Sequence, residues 1–226
     1  MPYKMTGYQK GGEIMRDFPM FTTENGVGSL VLKEIPYSGI AYVTIHDSSF
    51  PTNFLKECAD FCRAAGAEKI YASGHQVLDA YPFHTAIIQM AASVHGIPQT
   101  DACLFPVTEK TLQRWRQIYN EKMNGVANAA YLSESATQEL LRRGDAYFVH
   151  RNGTLLGIGI AANDCIDCVA SVQPGGGREV VAALAHGLAR ERVVLDVAST
   201  NTKAIRLYES MGFIKIAERS RWYQIF

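Results

Sequence analysis

The spacing of apolar residues alternates between the period of a strand and that of a helix in the first third of the chain. Two β-rich runs within residues 28–47 flank Pro36–Gly39 and predict a hairpin. Residues 52–66 place apolar side chains at helical spacing before a glycine, and "KIYAS" at 69–73 returns to strand spacing. This part of the chain therefore predicts a β-α-β unit. The apolar stripe of its helix is Phe54, Leu55, Cys58, Phe61 and Cys62.

A second and longer set of elements begins near Ala102. It opens with a strand at 102–108 and continues with two amphipathic helices at 109–124 and 133–144. Residues 145–161 predict a hairpin, because the Arg-Asn-Gly sequence at their centre is the strongest short hairpin signal in the chain.

The last third of the chain alternates strands with helices. A glycine triplet separates the first strand from an apolar helix, and two short strands close the chain. In order, the predicted elements are a strand at 165–173, a glycine-rich turn and helix together at 175–191, a strand at 192–199, a helix at 202–211 and strands at 213–218 and 221–226. The whole sequence therefore predicts a mixed α/β fold.

Two segments of nearly equal length share the order strand, turn, helix, strand. They are residues 43–73 and 169–199, and their identity is small beyond a final Ala-Ser. An internal duplication and a convergent pair of β-α-β units both explain the pattern. The first segment lacks the glycine triplet of the second.

Composition and charge narrow the class of protein. The 226 residues are 47% apolar and 19% charged, which is typical of a globular chain of one or two domains. Lys plus Arg and Asp plus Glu number 22 each, with no basic stripe, so neither nucleic acid nor a membrane is an expected partner. Residues 1–10 lack the apolar core of a signal peptide, and a cytoplasmic protein acting on small molecules is expected.

The cysteine pattern favours reduced thiols. Five cysteines in a chain of this length do not resemble a small disulfide framework. Cys165 and Cys168 have a spacing seen in metal sites, but in a regular strand they would point to opposite faces. We therefore expect no metal.

The glycine triplet Gly175–Gly177 lies directly between a strand and a helix. Such a turn directs backbone N–H groups and the positive end of a helix dipole toward a phosphate. It is neither a Walker loop nor a GxGxxG fingerprint, so a flexible connector explains the glycines equally well.

The helix at 202–211 carries a more specific pattern. Asn201 is a favourable N-cap and Gly212 a favourable residue after the helix, while Ala204 and Tyr208 follow Asn201 on one helical face. A capped helix that packs Tyr208 into the core would show the same pattern.

Taken in order, the glycine turn and the Asn-helix-Tyr-Gly-Phe sequence resemble the GCN5-related N-acetyltransferase (GNAT) superfamily over about residues 102–226. The matching pieces are "VASVQPGGGREVVAAL" and "LDVASTNTKAIRLYESMGF". The resemblance implies an α/β fold with a mostly antiparallel central sheet, flanked by helices and splayed between two parallel strands. It divides the chain into a catalytic domain at 101–226 and an N-terminal half-domain at 1–100, which could be a degenerate partial GNAT repeat.

The same resemblance implies an N-acetyltransferase that passes the acetyl group of acetyl-CoA to an amine of a small molecule or peptide. Tyr208 would be the acid that protonates the leaving thiolate, and Asp167 is the nearest candidate for the base, although a solvated charge at a strand edge also explains it. The residues placed at the cofactor are Val172, Gln173, Gly175, Gly176, Gly177, Arg178, Glu179, Val180, Asn201, Ala204 and Tyr208.

The turn departs from the usual GNAT pattern, and this keeps alternatives open. Glu179 stands where a small residue is customary and could repel a diphosphate. A non-catalytic module that binds acyl-CoA or regulates another protein is therefore one alternative. Dinucleotide binding is another, with Asp196 as its acidic residue. The final strand also leaves pairing across a homodimer open.

Overall fold

The computed structural model describes residues 19–226. The N-terminal stretch considered above for a leader sequence lies outside them. By its internal contacts the chain forms two compact units: the first extends to His84 and includes Ser220–Phe226, and the second is Thr85–Arg219. The division into domains at 1–100 and 101–226 stays a prediction.

The first unit is a β-sheet with one long helix. Its strand order is β1-β2-β3-β4-β11, in which only β3 and β4 run parallel. The elements are β1 (Met20–Thr23), β2 (Gly26–Val31), a one-turn helix α1 (Ile35–Ser38), β3 (Ile40–Ser48), α2 (Pro51–Ala64), β4 (Lys69–Ser73) and the end of β11 (Ile214–Gln224).

The predicted β-α-β unit in this first unit is confirmed. Helix α2 begins with Pro51 in its first turn and packs four residues of the predicted apolar stripe on the sheet, namely Phe54, Leu55, Cys58 and Cys62. The fifth, Phe61, was predicted to be buried but is 46% exposed, because it lies at the margin of the buried face. Strands β3 and β4 pair without interruption from Ile40–Lys69 to Thr44–Ser73. Their backbone groups are therefore joined along the whole length of β4.

The second unit is a sheet covered by helices. Its strand order is β11-β5-β10-β9-β8-β7-β6. Among the pairs whose register is described, only β9 and β10 run parallel. The elements are β5 (Phe83–Ser93), β6 (Cys103–Pro106), α3 (Glu109–Met123), α4 (Glu134–Arg143), β7 (Ala146–Arg151), β8 (Thr154–Ala162), β9 (Cys165–Ser171), α5 (Gly177–Gly187), β10 (Arg192–Ala198), α6 (Thr202–Glu209) and the start of β11.

Both faces of this second sheet are buried. Helices α5 and α6 cover one face, where Leu184, Leu195 and Phe213 belong to one apolar cluster. Helix α3 covers the other, where Trp115 packs with Phe148 and donates its indole N–H to a backbone oxygen of β7 at 3.0 Å. Six successive residues of β8, 156–161, are buried, as expected for a strand covered on both sides. The predicted mixed α/β class is confirmed.

The strands differ from the prediction at the end of the chain and at residues 83–93. The two closing strands are one, β11, because no Gly, Pro, Asn or Asp interrupts residues 214–224. Strand β5 was not predicted, since its apolar residues follow no strict alternation, yet it pairs with β10 over seven residues. No helix in the described part of the chain has the length and apolarity needed to cross a membrane.

Candidate functional site

Strands β9 and β10 run together briefly and then part. They pair only at Val194–Cys165 and Leu195–Ile166, and the Val194 N–H donates to the carbonyl of Asp164 at 2.8 Å. Beyond these residues β10 remains paired with β5, and β9 remains paired with β8. In the described chain no further backbone pairing joins β9 to β10. We call the opening between residues 167–171 and 196–198 the wedge. The predicted splay is therefore present.

A β-bulge at Asp167 lies where the two strands part. In the register with β8, Ile160 faces Cys168 and Ala161 faces Ile166, so Asp167 is an extra residue. A bulge bends its strand and reverses the alternation of side chains, and accordingly Ile166 and Cys168 belong to different apolar clusters. Because the bulge lies between them, Cys165 and Cys168 do not follow the alternation of a regular strand, from which opposite faces were predicted.

The glycine turn stands at the open end of the wedge. Gly175 has a positive φ of 80°, and the Gly176 N–H closes the turn on the carbonyl of Gln173 at 3.1 Å. Helix α5 then begins, and the N–H groups of 177–179 donate to no acceptor in the described chain. A Cβ on Gly177 would approach Leu207 of α6 to 3.0 Å, so the close packing of α6 explains a glycine there. The turn presents unpaired donors that suit an anion.

Charged side chains surround this turn. The Arg178 guanidinium donates to the Ser210 hydroxyl at the end of α6, at 2.7 Å. Glu179, for which repulsion of a diphosphate was one alternative, is paired: its Oε2 accepts from Arg151 Nη1 at 2.6 Å. The acid therefore stands beside a compensating cation from the β7–β8 hairpin.

Helix α6 is capped at both ends as predicted. The Asn201 side-chain oxygen accepts the Ala204 N–H at 3.2 Å. At the other end Gly212 has a φ of 89°, and the Gly212 and Phe213 N–H groups donate to the carbonyls of Glu209 and Tyr208, both at 3.1 Å. This is a Schellman motif, which fixes where the helix stops.

Tyr208 is directed from α6 toward β9. The residue is only 8% exposed, and its ring packs against Phe213 with centroids 5.7 Å apart. Burial first, and then the proximity of Cys168, whose thiolate would repel a phenolate, raise the pKa of the phenol above its ordinary value of 10.0. Because Cys168 directly follows the bulge, the phenol lies near the closed end of the wedge, where it also packs in the core.

The glycine turn, α5 and the capped helix α6 lie in a part of the chain that matches a known protein family. A family profile described as FR47-like protein matches residues 172–223. A GCN5-related N-acetyltransferase from Sphaerobacter thermophilus matches with a TM-score of 0.55 at 13% identity, over 88% of this chain and 75% of that chain. A second GCN5-related N-acetyltransferase, from Anabaena variabilis, matches with a TM-score of 0.57 at 10% identity, over 88% of this chain and 59% of that chain.

A tandem GNAT protein from the clavulanic acid biosynthesis pathway, solved without acetyl-CoA, gives a TM-score of 0.53 at 14% identity, over 88% of this chain and 78% of that chain. The chain has the GNAT fold. No curated protein matches it significantly in sequence. The structural matches confirm the predicted resemblance to the GNAT superfamily at the level of the fold.

The remaining predicted residues take different positions around the GNAT wedge. The N–H groups of Val172 and Gln173 both donate to the carbonyl of Leu156, at 2.9 and 3.3 Å. Val180 is fully buried and its N–H bonds to Gly176, so it supports the turn from beneath. Asp167 is exposed, and its Oδ1 accepts from the Cys165 thiol at 3.2 Å.

A hydroxyl cluster that the sequence did not reveal anchors the loop before Asn201. Thr85 of β5 is fully buried, and its hydroxyl lies 3.1 Å from that of Thr200 and 3.3 Å from that of Ser199. The Ser199 hydroxyl also accepts the Ala86 N–H at 2.9 Å. No local signal marked these residues, since they meet only through the pairing of β5 with β10. Asp196, at the edge of the wedge, was considered only for dinucleotide binding, and its Oδ1 is buried.

Two surface clefts of the second unit lie away from the wedge. One has a volume of about 460 Å³ and includes Cys103 and His186, and the other, of about 560 Å³, includes His95 and Ile214. Neither is lined by a predicted site residue. Among residues 19–226 no three His, Cys, Asp or Glu side chains are grouped to hold a metal ion.

Proposed function

We propose that the protein is an N-acetyltransferase that transfers the acetyl group of acetyl-CoA directly to an amine of a small molecule or peptide. The parting of β9 and β10, between the glycine turn and Tyr208, carries the proposal. The facing edges of β9 and β10, which do not pair with each other in the wedge, can bind the amides of a ligand. The free N–H donors beside them can bind its diphosphate.

The residues around the wedge fit such a ligand. The backbone of β9 and of Val172 and Gln173, which follow it, would bind the amides of the pantetheine arm as an added strand does, through groups other than the two N–H groups that pair with Leu156. The N–H groups of 177–179 and the Arg178 guanidinium would hold the diphosphate, with Gly175 and Gly176 shaping the turn. Asn201 and Ala204 would border the ligand from α6. When bound, acetyl-CoA supplies an activated thioester.

Tyr208 is proposed to hold a proton for the departing sulfur atom. Burial raises the pKa of its phenol, so the hydroxyl stays protonated throughout the neutral range. A neutral phenol that hydrogen-bonds a developing thiolate stabilises its negative charge, and the thiolate can take its proton from solvent as it leaves. The Schellman motif at Gly212 fixes the end of the helix that carries this side chain.

Asp167 is proposed to accept, directly or through water, the proton that an attacking ammonium must lose. Its exposed position on the bulge leaves the carboxylate accessible at the deep end of the wedge. The Cys165 thiol donates to Oδ1 and thereby orients the carboxylate. The cysteines of the described chain are all free, which fits the cytoplasm as the place of the reaction.

Two measurements test the proposed function. Acetyl-CoA at about a hundredfold its Kd should stabilise the protein by about 2.7 kcal/mol, a thermal shift of several degrees. A panel of amines, assayed for release of free thiol, should then identify acceptors. Binding without turnover would indicate the non-catalytic module, and a shift with NAD but not with acetyl-CoA would indicate dinucleotide binding. No shift with millimolar acetyl-CoA would refute the proposal.

A further inference from the structure

The first turn of α5 contains an acid at the place where the proposed function puts a diphosphate. Glu179 is the third residue of the helix, close to the free N–H groups of 177–179. A carboxylate is favourable at a helix N-terminus, and so it competes with an anionic ligand for the same positive end. An uncompensated Glu179 would therefore weaken the binding of a diphosphate.

A cation from a different element compensates this acid. Arg151 ends β7 and precedes Asn152 and Gly153, whose positive φ angles of 50° and 76° form a tight hairpin turn. Its Nη1 lies 2.6 Å from Glu179 Oε2, and the two side chains are 46% and 27% exposed. A two-residue hairpin turn holds Arg151 near the start of α5 without help from a flexible loop.

The guanidinium keeps capacity for a second anion. Arginine has five N–H donors in a planar fork, and Glu179 is the partner that the described chain provides for Arg151. Arg178 is directed differently, toward Ser210. The side chains of Arg151, Arg178 and Glu179 have a net charge of +1, and without Arg151 the net charge of the other two is zero.

We propose that Arg151 is a positioning residue for the phosphates of the ligand, an inference that rests on the proposed function. Its guanidinium neutralises Glu179 and draws the carboxylate toward the hairpin, so that the glycine turn of this chain accepts a diphosphate despite an acid in the helix. The hairpin tip of β7 and β8 thus belongs to the binding site. Arg151 thereby favours acyl donors that carry a diphosphate over donors that lack one.

The test compares four forms of the full chain by calorimetric titration with acetyl-CoA: the natural protein, Arg151→Gln, Glu179→Gln and the double variant. Arg151→Gln should weaken binding about tenfold, the size expected for one uncompensated like charge near a surface-bound diphosphate. The double variant should recover affinity to within about threefold, because both charges are then absent. The loss in Arg151→Gln should shrink as salt is added.

Arg142→Gln is the matched control. It breaks an exposed Arg–Glu pair of equal length, Arg142 to Glu139 at 2.6 Å on α4, and should leave acetyl-CoA binding unchanged. Acetyl-pantetheine, which lacks the diphosphate, should show the same KM with Arg151→Gln as with the natural protein.

Unchanged acetyl-CoA affinity in Arg151→Gln overturns the inference, and so does a double variant that binds as weakly as the single one. Natural protein that does not bind acetyl-CoA overturns the proposed function, and this inference with it.

Discussion

Phe213 donates its backbone N–H to the carbonyl of Tyr208 at 3.1 Å, and the two rings pack 5.7 Å apart. This hydrogen bond forms across a turn in which one residue must adopt a left-handed backbone conformation. Gly212 is that residue, with a φ of 89°. The end of α6, the orientation of Tyr208 and the start of β11 therefore depend on one glycine.

Gly212→Ala should destabilise the protein by about 1–2 kcal/mol, because a Cβ is strained at this φ. Steric overlap is not the cause, since no atom lies within 4 Å of the position where the Cβ would be. The midpoint of urea unfolding measures the effect. Gly96→Ala is the control, because Gly96 is equally open but lacks a positive φ. Equal midpoints for the two variants would contradict the strain.

Tyr208→Phe should lower kcat about 10²–10⁴-fold, since it removes the proposed proton donor and little else. Binding of acetyl-CoA should stay within about twofold, because the ring still packs on Phe213. Tyr147→Phe removes another phenol hydroxyl of the second unit and should leave kcat unchanged. If Tyr208→Phe keeps full turnover, the acid is another group.

Asp167→Asn should lower kcat/KM most strongly at acidic pH, because the acceptor amine is then protonated and needs a base. Activity should partly return as the pH rises and the amine loses its proton unaided. A pH profile of both proteins measures this. Asp164→Asn, in the preceding turn, should behave as the natural protein does. If the pH profiles of Asp167→Asn and the natural protein are superimposable, Asp167 is not the base, and Asp196 would be the next residue to test.

The buried cysteines should resist alkylation in the folded protein. Burial raises the pKa of Cys58 and of Cys168 to about 12, and that of Cys62 to about 11, from an ordinary value of 9.0. Iodoacetamide at pH 8 should therefore modify exposed Cys103 first, as judged by mass spectrometry, and the three buried thiols only after unfolding in urea. Rapid labelling of Cys168 in the native protein would contradict its burial.

The same thiols make stability depend on pH in a definite direction. Their pKa values are higher in the folded than in the unfolded chain, so the folded state retains protons that the unfolded state loses. Their contribution to the free energy of unfolding is complete below about pH 9 and declines as the pH rises toward 11–12. Urea unfolding at pH 8 and pH 10.5 should show this decrease.

Local patterns in the sequence were sufficient for helices α2 to α6 and for most strands, but not for the one-turn helix α1. The apolar spacing of Leu112, Trp115 and Ile118 predicted α3, and Asn201 and Gly212 predicted both ends of α6. These features depend on residues a few positions apart, so the chain shows them before it folds.

The splay of β9 and β10 was expected only from the family resemblance, and three other features that depend on pairing between distant residues were not predicted. The bulge at Asp167 is a property of the register with β8, and the contact of Arg151 with Glu179 joins residues 28 positions apart. Thr85 reaches Ser199 and Thr200 only because β5 pairs with β10. A single sequence without known pairings contains no signal for such contacts.

The wedge also has a consequence for handling the protein. Unpaired strand edges are templates on which another chain can add, and ligand-free protein therefore exposes a surface prone to aggregation. A ligand that occupies the opening as an extra strand would remove that template. We accordingly expect the purified protein to keep its solubility at high concentration when its acyl donor is in the buffer, and to lose it when the donor is dialysed away.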